Sequence, residues 1–246
     1  MQIAGARVLL TGATGGLGHA IARALAQRGG QLVLTGRRTA VLEPLAAELG
    51  ARALAVDLAD PSEVQRLLEE AGEVDILVAN AALPASGTLD TYTVEQIDRA
   101  LAVNVRAPVV LAHGLIGSMG ARGGGHLLFM SSLSGKIASA GAALYNASKY
   151  ALRGFAAALR ADLRESRVGV SAVFPGFIRD AGMFADAGVE LPPGVGTRSP
   201  VDVAPLPLRA SAMLASVAPE LAAGLARRLG ADDISRRMET GQRDKR

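Results

Sequence analysis

Short apolar runs alternate with longer segments of helical period along this chain, and that alternation leaves few architectures open. RVLLTG (7–12), QLVLTG (31–36), a run within 51–60, VDILVANAA (74–82), GHLLFMSS (125–132) and VGVSAVFPG (168–176) read as strands. Segments 18–29, 40–50, 61–72, 93–120 and 143–166 carry apolar residues at helical spacing. Strands that are apolar throughout belong in a sheet buried on both faces. A helix between successive strands makes them parallel. The expectation is α/β: a doubly wound parallel sheet with helices on both faces, in one domain over 1–246. The text changes at 177–200, which is rich in Gly, Pro and Ala without a period and reads as a lid over a ligand. Residues 219–246 read as a helical, charged C-terminal tail.

Composition narrows the function. Half of the 246 residues are apolar but only 3% are aromatic, so the core is Ala, Val and Leu. The chain has no cysteine, which excludes disulfides, thiol catalysis and Cys-ligated metals and fits the cytoplasm. His19, His113 and His126 lack metal-ligand spacing, so no metal is expected. The net charge of +3 is accounted for by the last twenty residues, with seven basic and four acidic side chains. A solvated tail explains that run, and no broad basic face with stacking aromatics points to nucleic acid. No signal-peptide pattern opens the chain, and no long apolar run escapes interruption by charge, Gly or Pro, so no membrane span is expected.

TGATGGLG (11–18) ends the first strand and opens the first helix. Gly12, Gly16 and Gly18 allow a sharp turn and close approach of a diphosphate to the helix N-terminus, whose N–H groups and dipole attract anions. The strand–loop–helix context makes this a dinucleotide site. After the second strand an acidic residue would hold the ribose hydroxyls of NAD, but this chain reads Gly36-Arg37-Arg38. Arginine suits a 2′-phosphate, so NADP(H) is expected over NAD(H). Asp57 either accepts from the adenine amine or caps the next turn.

The chain has three lysines and three tyrosines, and Lys149 stands four residues after Tyr145, on one helix face. A nearby cation lowers the pKa of a phenol toward the range useful for general acid–base work.

With these motifs the chain resembles the short-chain dehydrogenase/reductase family. The resemblance rests on Thr11-Gly12-x-x-x-Gly16-x-Gly18, Asn80-Ala81, Asn104, Ser132, Tyr145-x-x-x-Lys149 and Pro175-Gly176, in family order from residue 7 to about 178. It implies a Rossmann-like fold and an oxidoreductase moving a hydride between NADP(H) and a ketone or secondary alcohol. Tyr145 would be the general acid/base, Ser132 would hold the substrate oxygen, and Lys149 would bind the nicotinamide ribose and depress the Tyr145 pKa. Asn104 would hold a water in a proton relay; Pro108, without an N–H, leaves the Asn104 carbonyl available for it. Cofactor contacts are expected at Gly12, Thr14, Gly16, Leu17, Gly18, Arg37, Arg38, Asp57, Leu58, Asn80, Lys149, Pro175, Gly176 and Ile178.

Three departures from the family pattern stand out. Ala79 and Ala82 flank Asn80-Ala81 where the family has N-N-A-G, and Asp180 stands where a threonine usually contacts the nicotinamide carboxamide. The C-terminus, with prolines at 205, 207 and 219, shows no seventh strand. That strand helps build the family's tetramer, so a homodimer through 93–120 and 143–166 is expected. The alternative function is a non-catalytic NADP(H)-binding regulatory or scaffold protein; sugar epimerisation is disfavoured by the short chain and the glycine spacing. The lid residues Phe177, Ile178, Met183, Phe184, Val189 and Leu191 suggest a partly apolar pocket for a small carbonyl or alcohol.

Overall fold

A computed structural model describes residues 2–178 and 199. Six strands form one sheet in the order β3-β2-β1-β4-β5-β6: β1 Arg7–Thr11, β2 Gln31–Gly36, β3 Arg52–Ala55, β4 Ile76–Ala79, β5 Gly125–Met130 and β6 Val168–Val173. The pairs from β3 through to β5 are parallel. The helices are α1 Gly16–Ala26, α2 Thr39–Leu49, α3 Pro61–Ala71, α4 Val94–Leu101, α5 Ala107–Ala121 and α6 Ala143–Asp162. This is the Rossmann-like α/β architecture that the alternating pattern implies.

Strand β1 shows how the sequence sets the layers. Val8 and Leu10 pack with Ala22 of α1 and with Leu42 and Leu45 of α2. Leu9 alternates to the opposite face and is fully buried there. Covered on both sides, the strand needs no polar face. The chain runs outward from β1 to β2 and β3, then returns to place β4 on the other flank of β1. Ligands of such sheets bind beyond the carboxyl ends of the strands at this reversal. The opposite ends of β1 and β4 are pinned by Arg7, whose Nε and Nη2 each donate to the Asp75 carboxylate at 3.0 Å. That contact holds Asp75 below the ordinary carboxylate range.

The single helix expected over 93–120 is instead three pieces. A π-helical turn, Ala102–Arg106, separates α4 from α5. Pro108 supplies the physical reason: it has no N–H, and its ring crowds the carbonyl four residues back, at Asn104. A wider turn accommodates the proline. Contrary to the expectation of no candidate span, Val94–Ala121 is long and apolar enough to cross a membrane, with a hydropathy of 1.5. Its apolar character serves the core, because Leu111, Leu115 and Met119 are buried within the protein.

Contacts divide the chain into two compact units. One comprises residues up to 82, 102–130 and 154–172; the other comprises 83–101, 131–153 and residues from 173 onward. The lid beyond Ile178, except Ser199, lies outside the described residues, as do the helical tail over 219–246 and the question of a seventh strand.

Candidate functional site

In the first unit the glycine loop is fixed by steric necessity. Gly12 has φ +68°, where a side chain is strained, and a Cβ there would lie 2.7 Å from the Ala81 Cα. A Cβ on Gly18 would lie 2.1 Å from the Gly12 carbonyl oxygen, so the first turn of α1 packs directly on the loop. Asn80 Nδ2 donates to the carbonyls of Thr11 and Gly12 at 3.1 and 3.2 Å. The Thr11 hydroxyl accepts the N–H groups of Asn80 and Ala81, each at 3.1 Å. Thus the Asn80 amide is spent on the loop's own backbone. Thr11, absent from the expected cofactor contacts, is the acceptor that ties β1 to β4. Its place directly before Gly12 was the only signal.

The loop also fits an anion. Helix α1 follows Gly15 with no side-chain cap and no acidic residue in its first turn. Gly15 and Gly16 are exposed, while Thr14 and Leu17 are half-buried. Helix α3 is the opposite case: Asp60 accepts the N–H groups of Ser62 and Glu63 at 2.8 and 3.4 Å, and Glu63 lies in the first turn. The α1 N-terminus therefore keeps its dipole and N–H donors for a ligand, as a diphosphate requires. Arg38 is exposed at the start of α2 and donates through Nη2 to the Thr14 carbonyl, which sets a guanidinium against the loop. Arg37 beside it is also exposed. Asp57 Oδ1 accepts the Ala59 N–H at 3.0 Å and so caps its turn. Leu58 is buried.

The second unit carries a different group of residues. Ser132 lies two residues past the end of β5 and caps a 3-10 turn, Leu133–Gly135, its hydroxyl accepting the Ser134 N–H at 3.1 Å. The same hydroxyl acts on the Tyr145 phenol, pulling its pKa down. On α6, the Lys149 ammonium lies 5.6 Å from the centroid of the Tyr145 ring. Ser131 Oγ donates to the Lys149 carbonyl at 2.9 Å, and a Cβ on Gly135 would lie 2.6 Å from that same carbonyl oxygen. The turn bearing Ser132 is thereby seated against the Tyr145–Lys149 segment of α6. Ser131, adjacent to Ser132, was not singled out in the sequence. The Tyr145 ring packs in an apolar cluster with Ala85, Ala100 and Leu144.

Burial controls both titratable groups. Lys149 is 2% exposed, and desolvation pushes its ammonium down to about 8. Desolvation pushes the half-buried Tyr145 phenol up to about 12, with the Ser132 hydrogen bond pulling the other way. The sequence implied a phenol depressed by Lys149. In the protein alone, loss of water around the phenol dominates its shift, and Tyr145 is a neutral proton carrier. The pair can hold an acceptor oxygen and give it a proton.

Asn104 lies in the first unit, fully buried within the π turn. In the second, the Pro175 carbonyl accepts the Leu133 N–H at 2.9 Å, Gly176 is half-buried and Ile178 is buried. Asp180, Met183, Phe184, Val189 and Leu191 fall outside the described residues.

Comparison with known proteins agrees with these features. The family model described as short chain dehydrogenase matches residues 6–190. A dehydrogenase/reductase SDR family protein 7-like from Drosophila melanogaster is 36% identical over 191 residues, covering 72% of this chain and 59% of that protein. The chain thus spans under two thirds of that relative's length. A short chain dehydrogenase/reductase from Burkholderia phymatum in complex with NAD has a TM-score of 0.68 at 27% identity, covering 72% of this chain and 68% of that one. L-Sorbose reductase from Gluconobacter frateurii, complexed with NADPH and L-sorbose, has a TM-score of 0.68 at 31% identity, covering 73% of each chain.

Proposed function

The chain belongs to the short chain dehydrogenase family, and from that premise we propose that it is an oxidoreductase using NADP(H) to interconvert a ketone and a secondary alcohol. The observation that carries the reading is the buried Lys149, its ammonium 5.6 Å from the centroid of the Tyr145 ring, on the helix against which the Ser132 turn is seated. A structural tyrosine needs no buried cation, and burying one is costly.

The α1 N-terminus and the backbone of Gly12, Thr14, Gly16, Leu17 and Gly18 hold the cofactor diphosphate. Arg38, braced on the Thr14 carbonyl, and Arg37 hold the 2′-phosphate; the fork of donors on arginine matches it. Leu58 lines the adenine side, and Pro175, Gly176 and Ile178 line the nicotinamide side. The nicotinamide, when bound, supplies or accepts the hydride. Ser132 donates to the substrate oxygen and orients it. Tyr145, neutral at ordinary pH, gives its phenolic proton to that oxygen as the alcohol forms. Lys149 binds the nicotinamide ribose and, as an ammonium below about 8, offsets the phenolate charge left behind. Asn104, buried in the widened turn, holds a water of the proton relay that the family resemblance implies. The exposed apolar side chains Val94, Leu101 and Tyr150 support a homodimer, which sedimentation at micromolar concentration would detect.

The test is the loss of NADPH absorbance over a panel of ketones and aldehydes, with NADH and the Tyr145→Phe protein in parallel. Turnover with NADPH that Tyr145→Phe abolishes is the expected result. Faster turnover with NADH would overturn the roles of Arg37 and Arg38. Silence across the panel, with NADPH still bound, would favour a binding protein without turnover.

A further inference from the structure

The mechanism gives no task to Lys136, a cation of the second unit. Lys136 is one of the three lysines of the chain. It directly follows the 3-10 turn that Ser132 caps, and its N–H closes that turn on the Leu133 carbonyl at 2.8 Å. Its ammonium stands over the Phe174 ring, 4.4 Å from the centroid, within the range of a cation–π contact. Phe174 directly precedes Pro175 and Gly176. Two backbone bonds run between the same segments: the Ser131 N–H to the Val173 carbonyl and the Leu133 N–H to the Pro175 carbonyl, both at 2.9 Å.

These bonds flank Ser132; beyond Leu133 the turn rests on α6, with Gly135 against the Lys149 carbonyl and Arg153 Nη1 donating to the Gly135 carbonyl at 3.3 Å, but among the described residues no backbone bond ties that end to the Phe174–Gly176 segment. The contact between Lys136 and Phe174 makes that tie. The Ser132 hydroxyl takes its direction from the turn, because it accepts the Ser134 N–H. We propose that Lys136 is a positioning residue, whose ammonium, held on the Phe174 ring, latches the Ser132 turn to the Phe174–Gly176 segment and so aims the serine hydroxyl at the substrate oxygen. The proposal rests on the dehydrogenase reading above. It calls for a cation at 136 and an aromatic at 174, and it acts through Ser132 alone. Lysine at 136 is therefore exchangeable with arginine but not with an apolar side chain of equal length.

The experiment compares the steady-state kinetics of Lys136→Met, Lys136→Arg and Phe174→Leu, the double variant Lys136→Met/Phe174→Leu, and Lys136→Met in a Ser132→Ala background. NADPH binding, read by cofactor fluorescence, verifies that each variant is folded. Lys136→Met is expected to lower kcat about three- to tenfold, the scale of one cation–π contact expressed as misalignment. Lys136→Arg should restore most of that loss, and Phe174→Leu should match Lys136→Met without adding to it. In the Ser132→Ala background Lys136→Met should cost nothing further. Unchanged kcat in Lys136→Met, additive losses in the double variant, or a full loss persisting without Ser132 would each overturn the latch. A wild-type protein that turns over no carbonyl compound would instead overturn the dehydrogenase reading, and the latch with it.

Discussion

Gly12, Gly18 and Gly36 work through what they lack, whereas Ser132, Tyr145 and Lys149 work through what they carry. In the nucleotide loop every close approach is backbone against backbone or against a small side chain, and the helix that follows is left uncapped. In the serine–tyrosine–lysine group the backbone only holds still, and a buried lysine and a half-buried tyrosine with displaced ionisation hold the chemistry. The lesson is that binding and reaction are separable here. Damage to the loop should be steric and insensitive to pH, and damage to the other group should be chemical and sensitive to it.

The sharpest separation is Tyr145→Phe. It should lower kcat by about 10²–10⁴-fold, as expected for a lost general acid, while cofactor fluorescence titration gives an unchanged Kd. Gly18→Ala is the reverse: a methyl group cannot occupy the 2.1 Å gap to the Gly12 carbonyl. It should cost about 1–3 kcal/mol in denaturant unfolding and abolish nucleotide binding at every pH.

Lys149→Met tests the chemical half through pH. The folded-state pKa of Lys149 lies below its unfolded value, so the unfolded chain binds more protons between about 8 and 10.5. Wild-type stability should therefore gain with rising pH across that window from this group, by up to about 3 kcal/mol. Differential melting at pH 7 and pH 10 should show this gain in the wild type and its absence in Lys149→Met. The smallest effect belongs to Asp60→Ala, which uncaps α3. It should lower the melting temperature by about 2–4 °C and leave NADPH affinity untouched, because the proposed diphosphate site is at the N-terminus of α1, not of α3.

Much of this was legible before any coordinates. Continuous apolar runs announced the strands, and the helical period over 61–72 announced α3. The π turn was half-legible. Pro108 forbade a regular helix through Asn104, but whether the chain would break, kink or widen there depends on packing that no local pattern encodes. The sign of the Tyr145 shift was misread for a similar reason. The i, i+4 spacing put a cation near the phenol, but desolvation depends on Ala85, Ala100 and Leu144, which come from three separate segments. Asp57 had two roles open to it and Asn80 one, as a cofactor contact, and only the fold shows both side chains engaged with backbone.

The strand order also has a meaning in time. β1, β2 and β3 are consecutive in the chain and adjacent in the sheet, so they can pair as soon as the first 55 residues are available. β4 must close a much longer loop to reach the free flank of β1, and β5 and β6 can only add after it. The glycine loop therefore matures in two stages: its turn forms with β1 and α1, but Thr11 finds the Asn80 and Ala81 amides only once β4 has docked. Pulse-labelled hydrogen exchange during refolding should protect the β2 amides before those of Asn80 and Ala81. A nascent chain that stalls between these stages would display a formed phosphate cradle with one wall missing.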